Sequence, residues 1–260
     1  GLGMRERVRK TALRDCALNN PAPSFGGLSS GGFMIYRCVA TSLAGFVQQV
    51  ATAYLPHGYW FYSQGFVPMG KNPEAVDTKL ITKYGAALSK WQRARRKRAG
   101  IANIQYLRFG RTFLVMATKG LHPFFEEEAA AIRDTRKVPI RIGGYSISVR
   151  KGPDGRLHSH VRIDRDPYTQ LMAHYLAHGA RQSTARLVDE LYRLPYEPYA
   201  PVRRQYLLLL RRINEIRKQN GRQTIPVEAL PLRRRIVKPF EADASNPKRT
   251  PEGEAIPPWV

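Results

Sequence analysis

Alternating apolar and polar positions predict one single strand and two β-hairpins. The aromatic-rich run at residues 59–67 is typical of a strand. Residues 103–118 predict a hairpin that turns at Gly110. Two further apolar runs, at about 138–149 and 156–163, flank Pro153-Asp154-Gly155 and predict a second hairpin.

Helical spacing and capping residues predict the segments between and after these strands. Predicted helices span residues 72–84, 87–99, 123–135, 167–192 and 206–218. Residues 35–55 fit either a helix or strands. This order predicts an α+β fold: a ferredoxin-like antiparallel sheet with helices on one face, followed by a basic helical C-terminal extension.

Local composition divides the 260 residues into four parts. Residues 1–33 are basic and rich in Gly, Pro and Ser, which predicts a flexible arm. Residues 34–194 predict the α+β domain, and residues 195–240 a Pro-rich linker with a basic helical extension. Residues 241–260 predict a disordered tail.

The charge of the chain points to a polyanionic partner. Lys and Arg number 43 against 20 Asp and Glu, which gives a net charge of +23. Such a field favours nucleic acid, with single-stranded segments preferred and a larger nucleoprotein complex as a possible setting. An anionic membrane is the competing partner, but no lipidation motif or long amphipathic basic helix supports it. Two cysteines predict an intracellular protein, cytoplasmic or nucleoid-associated.

Candidate nucleic-acid contacts fall in three regions. Residues 91–98 combine a tryptophan with five cations on a predicted helix, which suits phosphates, although a solvated helix face would look the same. The hairpin at 103–118 places aromatics beside arginines, as in a platform for stacking bases. Arginine clusters follow near the C-terminus. The predicted binding residues are Arg93, Arg95, Arg96, Lys97, Arg98, Tyr106, Arg108, Phe109, Arg111, Arg203, Arg204, Arg233, Arg234 and Arg235.

Two pairs of histidines are the candidates for chemistry. His158 and His160 share one face of a strand, and His174 and His178 share one face of a helix. Paired imidazoles can bind Mg²⁺, Mn²⁺ or Zn²⁺ against a phosphate. The alternative is that both pairs belong to a solvated basic surface.

Acidic residues offer a second metal-binding hypothesis. The candidates for an acidic nuclease-type site are Glu126, Glu127, Glu128, Asp134 and Asp164. The three consecutive glutamates fan around a helix, and the helix dipole explains them without a functional role.

His158-Ser159-His160 and the order of elements resemble the HUH endonuclease superfamily of replication initiators, relaxases and single-strand transposases. The resemblance implies a His-x-His motif on a strand of a ferredoxin-like sheet. It also implies a nucleophilic tyrosine on a later helix, here Tyr175 or Tyr168. Ser159 replaces the usual hydrophobic residue. The third metal ligand would come from His122, Glu126, Asp164, His174 or His178.

Two functions remain open at this level. One is a metal-assisted, tyrosine-dependent single-strand DNA nickase or transposase. The other is a non-catalytic RNA- or DNA-binding component of a larger ribonucleoprotein or nucleoprotein complex. Fingerprints for ATP- or NAD-driven chemistry are missing from the sequence.

Overall fold

The computed structural model describes residues 36–241 and has an α+β fold with two antiparallel sheets. The strands are β1 (Phe61–Phe66), β2 (Ile104–Phe109), β3 (Thr112–Ala117), β4 (Arg133–Asp134), β5 (Ile140–Ile142), β6 (Tyr145–Lys151) and β7 (Leu157–Ile163). The α-helices are α1 (Leu43–Gln48), α2 (Pro73–Tyr84), α3 (Lys90–Arg98), α4 (Phe124–Glu127), α5 (Arg165–His178), α6 (Thr184–Tyr192) and α7 (Ala200–Gln219). A π-helical turn (Gln49–Tyr54) and a 3₁₀ turn (Leu55–His57) continue α1.

The larger sheet has the strand order β2-β3-β1-β4 and antiparallel pairs throughout. With helices between β1 and β2 and between β3 and β4, this is the order of a ferredoxin-like sheet. Gly110 adopts a positive φ of 55° in the turn between β2 and β3, as the hairpin prediction requires. On its other side β2 is bridged in parallel at Val39, so both edges of β2 are occupied.

The fourth strand of this sheet differs from the prediction. Helix α4 ends at Glu127, and residues 133–134, predicted as helix, form β4 instead. The Thr135 N–H donates to the Trp60 carbonyl at 2.8 Å, which extends the pairing of β4 with β1. Pairing with the edge of β1 gives hydrogen-bond partners to backbone N–H and C=O groups on both strands. This stabilises the strand more than a continued short helix would.

The predicted second hairpin forms a separate sheet of three strands, β5-β6-β7, and not the end of the ferredoxin-like sheet. Gly143 and Gly144 both adopt positive φ values and connect β5 to β6 in a two-residue turn. This turn, with left-handed backbone at both positions, reverses the chain, so the predicted single strand at 138–149 is two strands. The predicted helix at 167–192 is likewise divided, because α5 ends at His178 and Ser183 caps α6.

Residues 195–240 are part of the core and not a separate extension. Helix α7 begins at Ala200, six residues before the predicted start, and buries Tyr206, Leu209 and Ile213 against the same hydrophobic cluster as α1 and β7. Leu207 of α7 is exposed. The predicted arm at 1–33 and residues 242–260 of the predicted tail lie outside the described residues.

The C-terminal segment returns to the first helix. The Val237 N–H donates to Gln48 Oε1 at 3.0 Å, and Gln48 Nε2 donates to the Val237 carbonyl. The Thr41 N–H donates to the Pro239 carbonyl at 3.0 Å, and its hydroxyl donates to the Glu241 carbonyl at 2.7 Å. These four bonds hold residues 237–241 along α1, from Thr41 before its cap to its last residue, Gln48.

Candidate nucleic-acid interface

The two pairs of histidines lie on different elements and have different partners. His158 and His160 project from one face of β7, and His158 Nε2 lies 2.9 Å from both carboxylate oxygens of Asp154. On α5, the rings of His174 and His178 are 4.8 Å apart. Burial, and then the neighbouring His178, lower the pKa of His174.

The histidines and carboxylates do not assemble into a metal site in the part of the chain that the structure describes. No group of three or more His, Cys, Asp or Glu side chains within residues 36–241 has the geometry to hold a metal ion. The residues therefore do not fit the predicted site for Mg²⁺, Mn²⁺ or Zn²⁺ formed by both histidine pairs. The His-x-His motif also lies on the smaller sheet, whereas the resemblance places it on the ferredoxin-like sheet.

Five of the six other candidate ligands have structural partners, Glu126 being the sixth. His122 Nδ1 accepts a hydrogen bond from the Phe124 N–H, and burial, followed by Arg96, lowers its pKa to about 4. Asp164 caps α5 and pairs with Arg141 at 3.3 Å. Two of the glutamates bind α2, and Asp134 binds the arginine two residues later. These contacts are Glu127–Lys83, Glu128–Tyr84 and Asp134–Arg136.

The candidate tyrosines are not arranged as nucleophiles. Tyr175 is 1% exposed within the hydrophobic core, and this burial raises its pKa. Tyr168 is half-buried, and its hydroxyl donates to the Gln205 carbonyl at 3.0 Å. A nucleophile must present its oxygen to a substrate, so the predicted role of Tyr175 is contradicted by its position in the core.

The predicted stacking platform on the first hairpin is also contradicted. Tyr106 and Arg108 are buried and both bind Asp77 of α2. The Arg108 guanidinium donates from Nε and Nη2 to the carboxylate at 2.8–2.9 Å, and the Tyr106 hydroxyl donates to the same group at 2.5 Å. These side chains hold α2 against β2, and neither is exposed for stacking with a base.

The other two hairpin residues in the predicted interface serve the fold. The guanidinium of Arg111 donates to carbonyl groups of the loop that follows β1, at distances of 2.7–3.1 Å. Phe109 is partly buried against the core cluster. The hairpin at 103–118 is therefore a structural element, which the sequence alone did not distinguish from a platform.

Helix α3 is basic and has no buried residue. A cap at its start and the contacts of one arginine hold it in place. Ser89 begins it with a capping box, in which its hydroxyl accepts from the Gln92 N–H and the Gln92 side chain accepts from the Ser89 N–H. Arg93 holds the helix on the body of the protein: its Nη1 donates to the Leu88 carbonyl at 2.6 Å, and its own carbonyl accepts from Asn103 Nδ2 at 3.0 Å.

The outer face of α3 carries a tryptophan between cations. Trp91, Arg95 and Arg98 are spaced i, i+4, i+7 and lie on one face. Arg93 and the partly buried Arg96 lie on the opposite face, which meets the body. Trp91 is 78% exposed, and no residue of α3 is buried. The exposed cations form no ion pair among the described residues; they are Lys90, Arg95, Lys97 and Arg98.

A second basic surface runs along α7. Its solvent-facing stripe carries Arg203, Arg204 and Arg211, with Leu207 and Leu208 between them. Of the later predicted cluster, Arg233 and Arg235 are exposed. The Arg234 guanidinium instead stacks on the Tyr199 ring, at 4.9 Å from its centroid, beside the start of α7. The predicted Arg203 and Arg204 are thus available to a ligand, and Arg234 is engaged.

The sequence predictions omitted Trp91, Arg150 and Arg162 from the interface. Trp91 begins the predicted basic run, and the pattern of charges in that run does not show whether its ring is exposed. Arg150 and Arg162 sit on polar positions of β6 and β7. Strict alternation along these strands was the available signal, since it assigns them to the face opposite the core.

Comparison with known proteins adds no functional assignment to this geometry. None of the described helices is long and apolar enough to cross a bilayer. No protein-family model, curated protein sequence or solved structure matches the chain.

Proposed function

We propose that this protein binds nucleic acid without acting on it, and that α3 contacts an unpaired stretch of the strand. One observation carries the proposal: Trp91, Arg95 and Arg98 share an exposed helix face on which no carboxylate of residues 36–241 neutralises the cations. An indole with flanking guanidinium groups provides a ring for base stacking and charges for the adjacent phosphates. A role within a larger nucleoprotein complex agrees with this activity.

The charge distribution supports a nucleic-acid partner. Most acidic side chains in the described part of the chain are already paired, whereas the exposed cations of α3 and the α7 residues Arg203, Arg204 and Arg211 have no carboxylate partner there. A field of one sign attracts an extended polyanion more strongly than it attracts a compact ligand. An aromatic side chain exposed within that field favours bases that are free to stack over bases closed in a duplex.

The nickase hypothesis is less well supported than nucleic-acid binding without catalysis. It requires a metal beside His158 and His160 and a tyrosine hydroxyl facing it. The described residues offer no third ligand there, Tyr175 is in the core, and Tyr168 is bonded to α7. Binding through exposed cations requires none of these arrangements.

Replacement of Trp91 by alanine tests the proposal. Loss of one base–aromatic stack is expected to weaken binding of a fluorescein-labelled oligothymidylate by about 1–3 kcal/mol, measured by fluorescence anisotropy. Binding of a duplex of equal length should change less, because its bases are already stacked. The matched control is Met69→Ala, which removes another exposed apolar side chain from a loop without a cationic helix.

Salt provides the second half of this test. Binding of the unaltered protein should weaken steeply between 50 and 200 mM salt, with a log–log slope of about −0.7 per neutralised phosphate on a single strand. Arg95→Gln and Arg98→Gln together should make that slope shallower. Binding that is indifferent to salt and to Trp91→Ala would contradict the proposed function.

A further inference from the structure

The outward face of the smaller sheet gathers basic side chains from two strands. The cross-strand pairs Tyr145–Ile163 and Ile147–Val161 are buried and point to the core. The alternate pairs must therefore project to the opposite face. These pairs are Ser146–Arg162, Ser148–His160 and Arg150–His158.

The turn between β6 and β7 and the cap of α5 supply the only carboxylates paired at this sheet within the described residues. Asp154 binds His158, and Asp164 binds Arg141 of β5. Arg150 and Arg162 have no carboxylate partner in the part of the chain that is described. Arg162 makes one long bond, from Nε to the Ile163 carbonyl at 3.3 Å, which leaves its terminal nitrogens free for a ligand.

A side-chain amide brings a third arginine to this face. Gln205 Oε1 accepts from the Ile163 N–H at 2.8 Å, and Gln205 Nε2 donates to the Ile163 carbonyl at 3.1 Å. This pair of bonds satisfies the backbone of Ile163 at the edge of β7 and holds the first turns of α7 against that strand. Arg204, which precedes Gln205, is exposed and also lacks a carboxylate partner in the described chain.

His160 lies two residues from Arg162 on β7 and diagonally across from Arg150 on β6, and the charge of Arg204 also acts on its ring. Its Nδ1 atom is buried and makes no hydrogen bond with another described residue. Burial lowers the pKa of His160, and the positive charges of Arg150, Arg162 and Arg204 lower it further. A buried polar atom without a partner is destabilising, so a ligand that reaches Nδ1 after a turn of the imidazole ring would recover stability that the free protein lacks.

We propose that His160, Arg150, Arg162 and Arg204 form a phosphate-binding site that holds one phosphate group of a nucleic-acid strand. Three guanidinium groups supply charge-assisted hydrogen bonds to the phosphate oxygens. The imidazole supplies a bond at a fixed position on the rigid sheet. The site rests on the proposed function for the identity of its ligand, but it is separate from α3 in residues and in chemistry, because it has no stacking ring.

The site is tested by following the NMR signals of the His160 ring as ligands are added. The ring signals of His160 are assigned in the NMR spectrum of the full chain from the spectrum of His160→Asn. Inorganic phosphate, an oligothymidylate and its 5′-phosphorylated form are then added separately. All three are expected to shift these signals if an internal phosphodiester can enter the site. A shift with only the phosphorylated strand and inorganic phosphate would support the site with a terminal phosphate as its ligand.

Affinity measurements accompany the spectra. Arg150→Gln with Arg204→Gln is expected to weaken oligothymidylate binding by about a hundredfold or more, since each of the two lost charge-assisted bonds contributes about tenfold. The matched control is Arg186→Gln with Arg193→Gln, which removes two charges that are already paired with Glu190 and Asp189. Its affinity should change by no more than about twofold, because paired surface cations contribute little.

The outcomes separate this site from the proposed function. If Trp91→Ala weakens oligothymidylate binding but the Arg150/Arg204 variant binds like its control, the phosphate site is overturned and the proposed function stands. If no oligonucleotide binds but inorganic phosphate still shifts the His160 signals, the site is supported as an anion site and the proposed function fails. His160 signals that respond to none of the three probes overturn the site.

Discussion

Replacement of Asp77 by alanine is expected to lower the free energy of unfolding by about 3–5 kcal/mol. The Asp77 carboxylate is buried and accepts three hydrogen bonds from Arg108 and one from Tyr106. Its hydrogen bonds and charge raise the pKa of Arg108, although burial opposes that shift. Without Asp77, a guanidinium charge would remain buried between α2 and β2 with no counter-charge beside it.

The loss is measured by urea unfolding monitored by circular dichroism. Asp189→Ala is the matched control, because it removes a carboxylate from the exposed pair with Arg193 and should cost less than about 1 kcal/mol. Tyr106→Phe should fall between the two, since it deletes one hydrogen bond and keeps the ion pair. A loss below about 1 kcal/mol for Asp77→Ala would show that water or neighbouring groups satisfy Arg108 without it.

Replacement of Arg217 by methionine is expected to cost about 3 kcal/mol or more, by a different mechanism. Arg217 is 2% exposed, and its partners are neutral oxygens. The guanidinium donates to the carbonyls of Gly179, Gln182 and Gln223 and to the Thr184 hydroxyl, at 2.6–3.0 Å. Methionine fills similar volume but leaves these buried acceptors unsatisfied, each at a cost of about 1–3 kcal/mol.

The hydrogen bonds of the Arg217 guanidinium connect α7 to the turn between α5 and α6 and to the segment after α7. A lysine has three donors on one nitrogen and cannot reach partners spread around a planar group, so Arg217→Lys should lose much of the same stability. Arg212→Met on the same helix is the control, because Arg212 is exposed and paired with Glu215. Equal urea midpoints for Arg217→Met and Arg212→Met would refute a role for Arg217 in holding the junction.

Local patterns were sufficient for elements whose signals lie within a few residues. Helix α2 begins after Asn72, which caps it, and ends at Gly85 in the left-handed conformation, as the sequence predicted. The hairpin of β2 and β3 and the α+β class are confirmed for the same reason. In each case the cap, the turn glycine or the alternation belongs to the element itself.

Longer-range competition decided the elements that were predicted wrongly. Strand β4 contains two residues, and its existence depends on the free edge of β1, about 70 residues earlier in the chain. The division into two sheets depends on the turn at Gly143 and Gly144 and on where the helices pack. No window of the sequence contains both partners of such contacts.

The candidate interface shows the same limit. Aromatic residues beside arginines predicted a stacking platform on the first hairpin, but Tyr106 and Arg108 are buried against α2, which supplies Asp77. In contrast, the cations of α3 were predicted as binding residues, and Arg95 and Arg98 are exposed. The sequence does not show which face of α3 meets the body of the protein. The contacts of Arg93 identify that face, and Trp91 lies on the opposite one.

The bonds between Gln48 and Val237 have a consequence for biosynthesis. Their donors and acceptors are separated by 189 residues, so α1 leaves the ribosome long before its C-terminal partner is made. At about 5–20 residues per second the interval is roughly 10–40 s. During it, the apolar face of α1 must be shielded by the growing chain or by a chaperone. A message truncated before the codon for Val237 would therefore yield a product prone to aggregation and degradation.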